Sequence, residues 1–160
     1  MSTTVQRRLL VFNDLDEVVR DAETLLANGY EKAGNWDLAQ VAGHLANWLT
    51  YPVAGFPRAP WPIRVMLGAV RATLGRRMFE KYMREGMPAG KPTIPESVPV
   101  AGGDAAQAVA RLREAVARFQ AHTGDYLPSP LFGRLTREEA RSIQLRHAAH
   151  HLSFLVPKQG

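Results

Sequence analysis

The chain contains no cysteine. Disulfides, thiolate metal sites and thiol nucleophiles are therefore excluded, and any metal must be held through nitrogen and oxygen. No stretch approaches the roughly 20 apolar residues that a membrane span needs. The segment from Met1 to Arg8 leads only into a short apolar run, Leu9 to Phe12, too short for the core of a secretory signal. A cytoplasmic protein with no membrane partner is the expectation. Internal repeats and low-complexity tracts are lacking, and strand-like alternation is confined to a candidate segment at Leu9 to Phe12. No DNA-binding motif and no interleaved aromatic platform occurs, so nucleic acid is not an expected partner.

What is present is a chain of 160 residues, 46% hydrophobic and 22% charged. That fits one domain over residues 1–160, long enough to bury a core. The net charge is +5, and the base excess is uneven. Between Arg58 and Lys91 stand Arg58, Arg64, Arg71, Arg76, Arg77, Lys81, Arg84 and Lys91 against only Glu80 and Glu85. The flanking portions together are close to neutral.

Four amphipathic helices read clearly. The first is capped at Asn13 or Asp14, with Glu17 at the capping-box position; its buried face runs from Leu15 to Leu26, and Gly29 stops it. The second opens at Asp37 with Gln40, buries Val41, His44, Leu45 and Trp48, and is expected to end at Tyr51 because Pro52 follows. Asp104 with Gln107 opens the third, which buries Val109, Leu112, Val116 and Phe119 and ends near Gly124. Thr136 with Glu139 opens the last, expected over 137–155. The apolar, breaker-rich loop from Tyr126 to Gly133 is expected to fold back on the helices. Residues 52–103 form a long crossover with a basic amphipathic helix from about Ile63 to Glu85, weakened by Gly68 and Gly75, then an extended stretch punctuated by Pro88, Pro92, Pro95 and Pro99. The fold class is all-α, a four-helix bundle.

The chemistry concentrates in Arg146-His147-Ala148-Ala149-His150-His151-Leu152. On a helix, His147 and His151 are spaced i, i+4 and stack two imidazoles on one face, as the histidine pair of HExxH helices does. His44, on the apolar stripe of the second helix, is the candidate third ligand. His150 competes with His151, but His147 and His151 lie about 40° apart on the helical wheel, and His150 falls on the flank, where it can line the pocket. Asn47, Tyr51 and Gln144 share faces with the histidines and are candidate pocket residues. The alternative reading makes the histidines satisfied core residues. His122, near a helix C-terminus, reads as structural, and Trp36 and Trp48 read as core. Trp61 covers one end of the helices or forms a lid.

Trp36-Asp37-Leu38-Ala39-Gln40-Val41-Ala42-Gly43-His44-Leu45-Ala46 resembles the second-helix signature of the DinB/YfiT-like metalloenzyme superfamily, and Arg146 to Leu152 resembles its fourth-helix histidine motif. The segments Leu131 to Glu139 and His151 to Leu155 resemble one subfamily of uncharacterised function. The resemblance implies an up-down-down-up bundle with a divalent metal held by His44, His147 and His151. Relatives include transferases and isomerases that use the metal to activate a low-molecular-weight thiol.

Three imidazoles leave a coordination position open, which suits catalysis better than structure. That position can hold water as a nucleophile for hydrolysis or bind a thiol as thiolate. Zinc and nickel lead among the expected metals, ahead of iron and manganese. No carboxylate stands one turn from a candidate ligand, so no general base is named, which favours a small-thiol-dependent transferase over a hydrolase. The substrate is a small molecule. The alternative is a non-enzymatic helical bundle that binds a small molecule or a protein. The basic helix reads first as a solvated surface and second as a homodimer contact, because Val65, Met66, Leu67, Val70 and Leu74 are more apolar than exposure requires.

Overall fold

The computed structural model describes residues 5–91 and 93–158. Pro92, one of the crossover prolines, lies outside them. In chain order the elements are α1 (Leu15–Asn28), β1 (Tyr30–Lys32), α2 (Leu38–Ala54), α3 (Trp61–Glu85), a 3-10 turn (Pro95–Ser97), α4 (Ala105–Ala121), α5 (Arg137–Leu152) and β2 (Leu155–Pro157). The class is mainly helical, with a small two-stranded sheet.

The helix starts follow the capping chemistry. Asp37 and Thr136 each accept the backbone N–H three residues on, and Gln40 and Glu139 return the bond, so both boxes close. Asp104 accepts from the Gln107 backbone. At α1 the bond is split differently: Asp14 accepts from the Glu17 N–H, whereas the Glu17 carboxylate takes the N–H of Asn13 at 2.7 Å. Two residues therefore share the cap.

Three expectations need correction. Leu9 to Phe12 is not a strand. The last helix stops at Leu152, and Leu155–Pro157 instead pairs antiparallel with Tyr30–Lys32, Glu31 opposite Val156. Phe154 and Leu155 stand three and four residues past His151, where a continuing helical stripe would have its apolar residues. Pro52 does not end the second helix, which runs on to Ala54. A proline in a helix lacks the N–H that would reach the carbonyl four residues back, here that of Trp48. The side-chain amide of Gln144 donates to that carbonyl at 2.9 Å, so the vacant acceptor is filled from α5.

The core lies between α1, α2, α4 and α5. Leu15, Val18 and Leu25 of α1 meet Leu38, Val41 and Leu45 of α2, Leu112, Val116 and Phe119 of α4, and Leu152 of α5. Burial of each such leucine or valine contributes about 1.5–3 kcal/mol. As expected, the 126–133 loop folds back: Leu127 donates to the Pro52 carbonyl, and the Tyr126 ring stacks on Phe119 at 4.5 Å. α3 stands apart, and its buried residues are only Gly75 and Phe79. Trp61, at its start, is 75% exposed.

Replacing Gln144 with Leu removes the donor to the Trp48 carbonyl. A buried acceptor left alone costs about 1–3 kcal/mol, so the urea midpoint should fall at unchanged slope. An unchanged midpoint would show that the carbonyl is satisfied in another way.

Candidate metal centre

α2 and α5 each carry their histidines to the same point. His44 sits mid-helix on the buried stripe of α2 with no exposed surface, and His147 and His151 are half-buried, one turn apart near the end of α5. One ring nitrogen from each lies within 4.8 Å of the others. The rings meet edge-on: 5.0 Å between His44 and His147, 4.6 Å between His44 and His151, and 4.7 Å between His147 and His151.

The tautomer of His44 follows from its partners. Its Nδ1 lies 3.1 Å from both the carbonyl and the hydroxyl oxygen of Ser97. A carbonyl only accepts, so Nδ1 carries the proton, and Nε2 presents a lone pair. The Ser97 hydroxyl spends its own hydrogen on the Ile94 carbonyl at 2.6 Å. Nε2 of His44 faces Nε2 of His147 at 3.1 Å. Two ligands on a tetrahedral ion at zinc–nitrogen distances of ~2.0–2.1 Å stand about 3.3 Å apart. The spacing of this pair and the all-imidazole donor set, with His151 in reach, therefore fit a divalent cation.

Ser97 was not foreseen from the sequence. It belongs to an aperiodic, proline-rich stretch and offers no pattern to read. The structure locks that stretch onto α2. Pro99 lies so close to Gly43 that a Cβ there would meet its Cγ at 2.5 Å, and Gln40 donates to the Pro99 carbonyl. Asn47 donates to the Ser97 carbonyl at 3.0 Å and accepts from Arg111. Asn47, read as a pocket residue, is thus engaged with the carbonyl that orients His44.

The other candidates separate. Nδ1 of His150 accepts from the Arg7 guanidinium at 3.2 Å, and the ring packs edge-on against Phe154, so it stands beside His151 but outside the three-histidine cluster. Tyr51 packs on Trp48 and Phe56, and burial raises its pKa. Gln144 is held on the Trp48 carbonyl. His122 stacks on Tyr126 and contacts the Asp125 carbonyl, away from the cluster. Trp36 and Trp48, read as core, wall the histidines: Trp36 stacks on His151 at 5.0 Å, and Trp48 meets His147 edge-on at 5.6 Å. The Trp48 Nε1 is buried with no partner among the described residues. On sequence, an aromatic on an apolar stripe looks the same whether it fills a core or lines a site. Among the described residues no carboxylate joins the cluster.

Charge is disfavoured here. Burial is the first cause of depression for each ring: His44 falls to about 4, His151 to about 2, and His147 lies well below its usual range, where the neighbouring imidazoles add to the effect. The Ser97 bond opposes the shift at His44. Neutral imidazoles with free lone pairs are the form that binds metal.

A family model described as a protein of unknown function, DUF1569, matches residues 4–158. The chain belongs to the DUF1569 family. No curated protein and no solved structure matches this DUF1569 chain.

The depressed imidazoles set a pH dependence. Unfolded, they take up protons near pH 6.5; folded, His44 does so only near 4. Between those values the unfolded state binds more protons, so stability rises with pH. Metal-free protein should hold its full stability above about pH 6.5 and lose it progressively toward about pH 4. Urea midpoints across that range measure it, and His147→Ala should flatten the profile. A wild-type profile already flat would contradict the neutral, buried cluster.

Proposed function

We propose that the chain is a metal-dependent enzyme whose divalent ion is held by His44, His147 and His151. The observation that carries this reading is the convergence of three neutral imidazoles, one of them fixed by Ser97 with its lone pair facing its neighbour. The resemblance to DinB/YfiT-like proteins supports it. In the same reading, residues 1–160 form one such domain, with α1, α2, α4 and α5 as an up-down-down-up bundle and 52–103 as the crossover.

A divalent ion held there supplies Lewis acidity that lowers the pKa of a water or thiol bound to it. The chain's residues do the rest. Ser97 holds the His44 ring and its tautomer. Trp36 and Trp48 wall the histidines with apolar surface and exclude water from their faces. The unpaired Nε1–H of Trp48 is a donor for a ligand atom. With no carboxylate in the cluster, proton removal by a neighbouring base is not provided for. That favours a transferase acting with a low-molecular-weight thiol, which needs the thiolate alone, over a hydrolase. Zinc or nickel is the metal of choice, with iron or manganese next. The second reading, a helical protein that binds a small molecule without chemistry, draws on the same aromatic walls and the unpaired indole.

Metal content by mass spectrometry tests the first reading. After reconstitution and desalting, wild type should hold about one metal per chain, and His44→Ala and His147→Ala should hold none while remaining folded. Folded wild type that stays empty with zinc, nickel, iron and manganese would refute it. Ser97→Ala keeps the carbonyl but loses the hydroxyl. Loss of a ligand's outer hydrogen-bond partner weakens metal binding by 10–100-fold, so about tenfold, the low end, is expected in a chelator competition. Equal affinity would show that the carbonyl alone orients His44.

A further inference from the structure

Resting on the metal-dependent reading of the same three-histidine site, we infer that its substrate carries a carboxylate group, which Arg7 holds beside the centre.

Two neighbouring arginines meet the end of α5, and they are used differently. Arg8 does the anchoring. Its backbone donates to the Ser153 carbonyl, and its guanidinium bonds to both carboxylate oxygens of Asp21 at 2.8 Å and to the Leu152 carbonyl at 3.0 Å. Arg7 has no carboxylate partner among the described residues. Its Nε donates to the Ser153 hydroxyl, and its Nη2 reaches Nδ1 of His150 at 3.2 Å and the His150 carbonyl at 3.4 Å. All three acceptors are neutral. The Phe154 ring lies against the guanidinium, with its centre 4.4 Å from Cζ. Burial lowers the Arg7 pKa, and no carboxylate opposes the shift. The guanidinium is thus fixed in place without being neutralised. The N–H groups of its Nη1 have no partner among the described residues.

Arg7 stands beside the cluster. The His150 ring to which it donates meets the His151 ring edge-on at 4.8 Å. Burial lowers the pKa of both rings most, and the charge of Arg7 lowers them further. His44 has no exposed surface, whereas His147 and His151 are half-buried. The accessible edge of the cluster is therefore on the α5 side, which is the side Arg7 occupies.

Charge balance selects the ligand. Three neutral imidazoles leave a divalent ion with its whole charge, and Arg7 adds one more. No carboxylate joins the cluster among the described residues. The titratable groups that bear on the three rings are one another, His150 and Arg7. Glu96, next to Ser97 in the chain, is exposed, and its charge acts on Tyr51 instead. Positive charge walled by the indoles of Trp36 and Trp48 needs a partner, and the protein supplies none there. The planar N–H fork of a guanidinium matches a carboxylate in shape and charge. A doubly charged phosphate group would call for more than this single arginine.

Calorimetric titration of the full chain tests this, loaded with zinc, or with nickel where zinc is not retained, and with metal content measured on the same samples. The probes are mercaptoacetate, 3-mercaptopropionate and 4-mercaptobutyrate, each beside the neutral thiol alcohol of the same length. The acid of matching length should bind at least about tenfold more tightly than its alcohol, as expected for a hydrogen bond to a charged group. Arg7→Gln should lose that gain and bind the alcohol as wild type does, with metal content and thermal midpoint unchanged. Arg7→Lys, which keeps the charge, should recover part of it. Arg64→Gln, which removes a charge from the exposed start of α3, should change nothing. Metal-loaded wild type that binds every acid no better than its alcohol, or binds no probe, overturns the inference and leaves the metal reading standing. So does an acid preference that survives in Arg7→Gln or is lost equally in Arg64→Gln. Wild type that retains none of zinc, nickel, iron and manganese fails the metal reading itself, and the inference falls with it.

Discussion

The bond from Nδ1–H of His44 to Ser97 is the constraint on which the centre depends. A histidine with no exposed surface, on a helix face otherwise filled by leucine, valine and alanine, must have its N–H satisfied. Satisfying it from one side fixes the ring, the tautomer and the direction of the remaining lone pair together. The partner is a backbone group in a turn held by Pro99 against Gly43, by Gln40 and by Asn47. Gly43 is required by that close approach, and Arg111 extends the network to α4. The crossover therefore does more than connect two helices; it supplies the outer wall of the site.

The same burial disfavours protonation of all three rings, and the lone pair of His44 faces Nε2 of His147. Imidazoles that face each other at 3.1 Å without a cation share at most one proton between them. The aromatic rings of Trp36 and Trp48 keep the surroundings of the cluster apolar.

The histidine pair was legible because helical spacing alone brings His147 and His151 to one face, and His44 because it interrupts an apolar stripe. The capping boxes at Asp37 and Thr136 fixed two helix starts from local chemistry. What escaped was set by distant partners. Ser97 has no periodic context. Pro52 obeys the rule that it removes a helical bond, but Gln144 from α5 repairs the loss, so the local stop signal failed. Leu155 to Pro157 makes a strand only because Tyr30 to Lys32 lies alongside. The exposure of α3 was equally hidden, since a spacing pattern shows which residues share a face and not whether anything covers it.

The short β1–β2 pairing has a consequence for the centre. Helix ends normally fray, and His151 is the last residue but one of α5. Here the chain leaving the helix is caught at once: Arg8 donates to the Ser153 carbonyl, Ala33 donates to that of Phe154, and Lys32 sits opposite Leu155. The sheet also reaches the start of α2, where the Tyr30 hydroxyl accepts the Leu38 N–H. The two helices that bring the histidines together are thus clamped at adjacent ends by one short splint. The entropy of arranging the three rings is largely spent during folding, so the cluster is set in place by the fold itself.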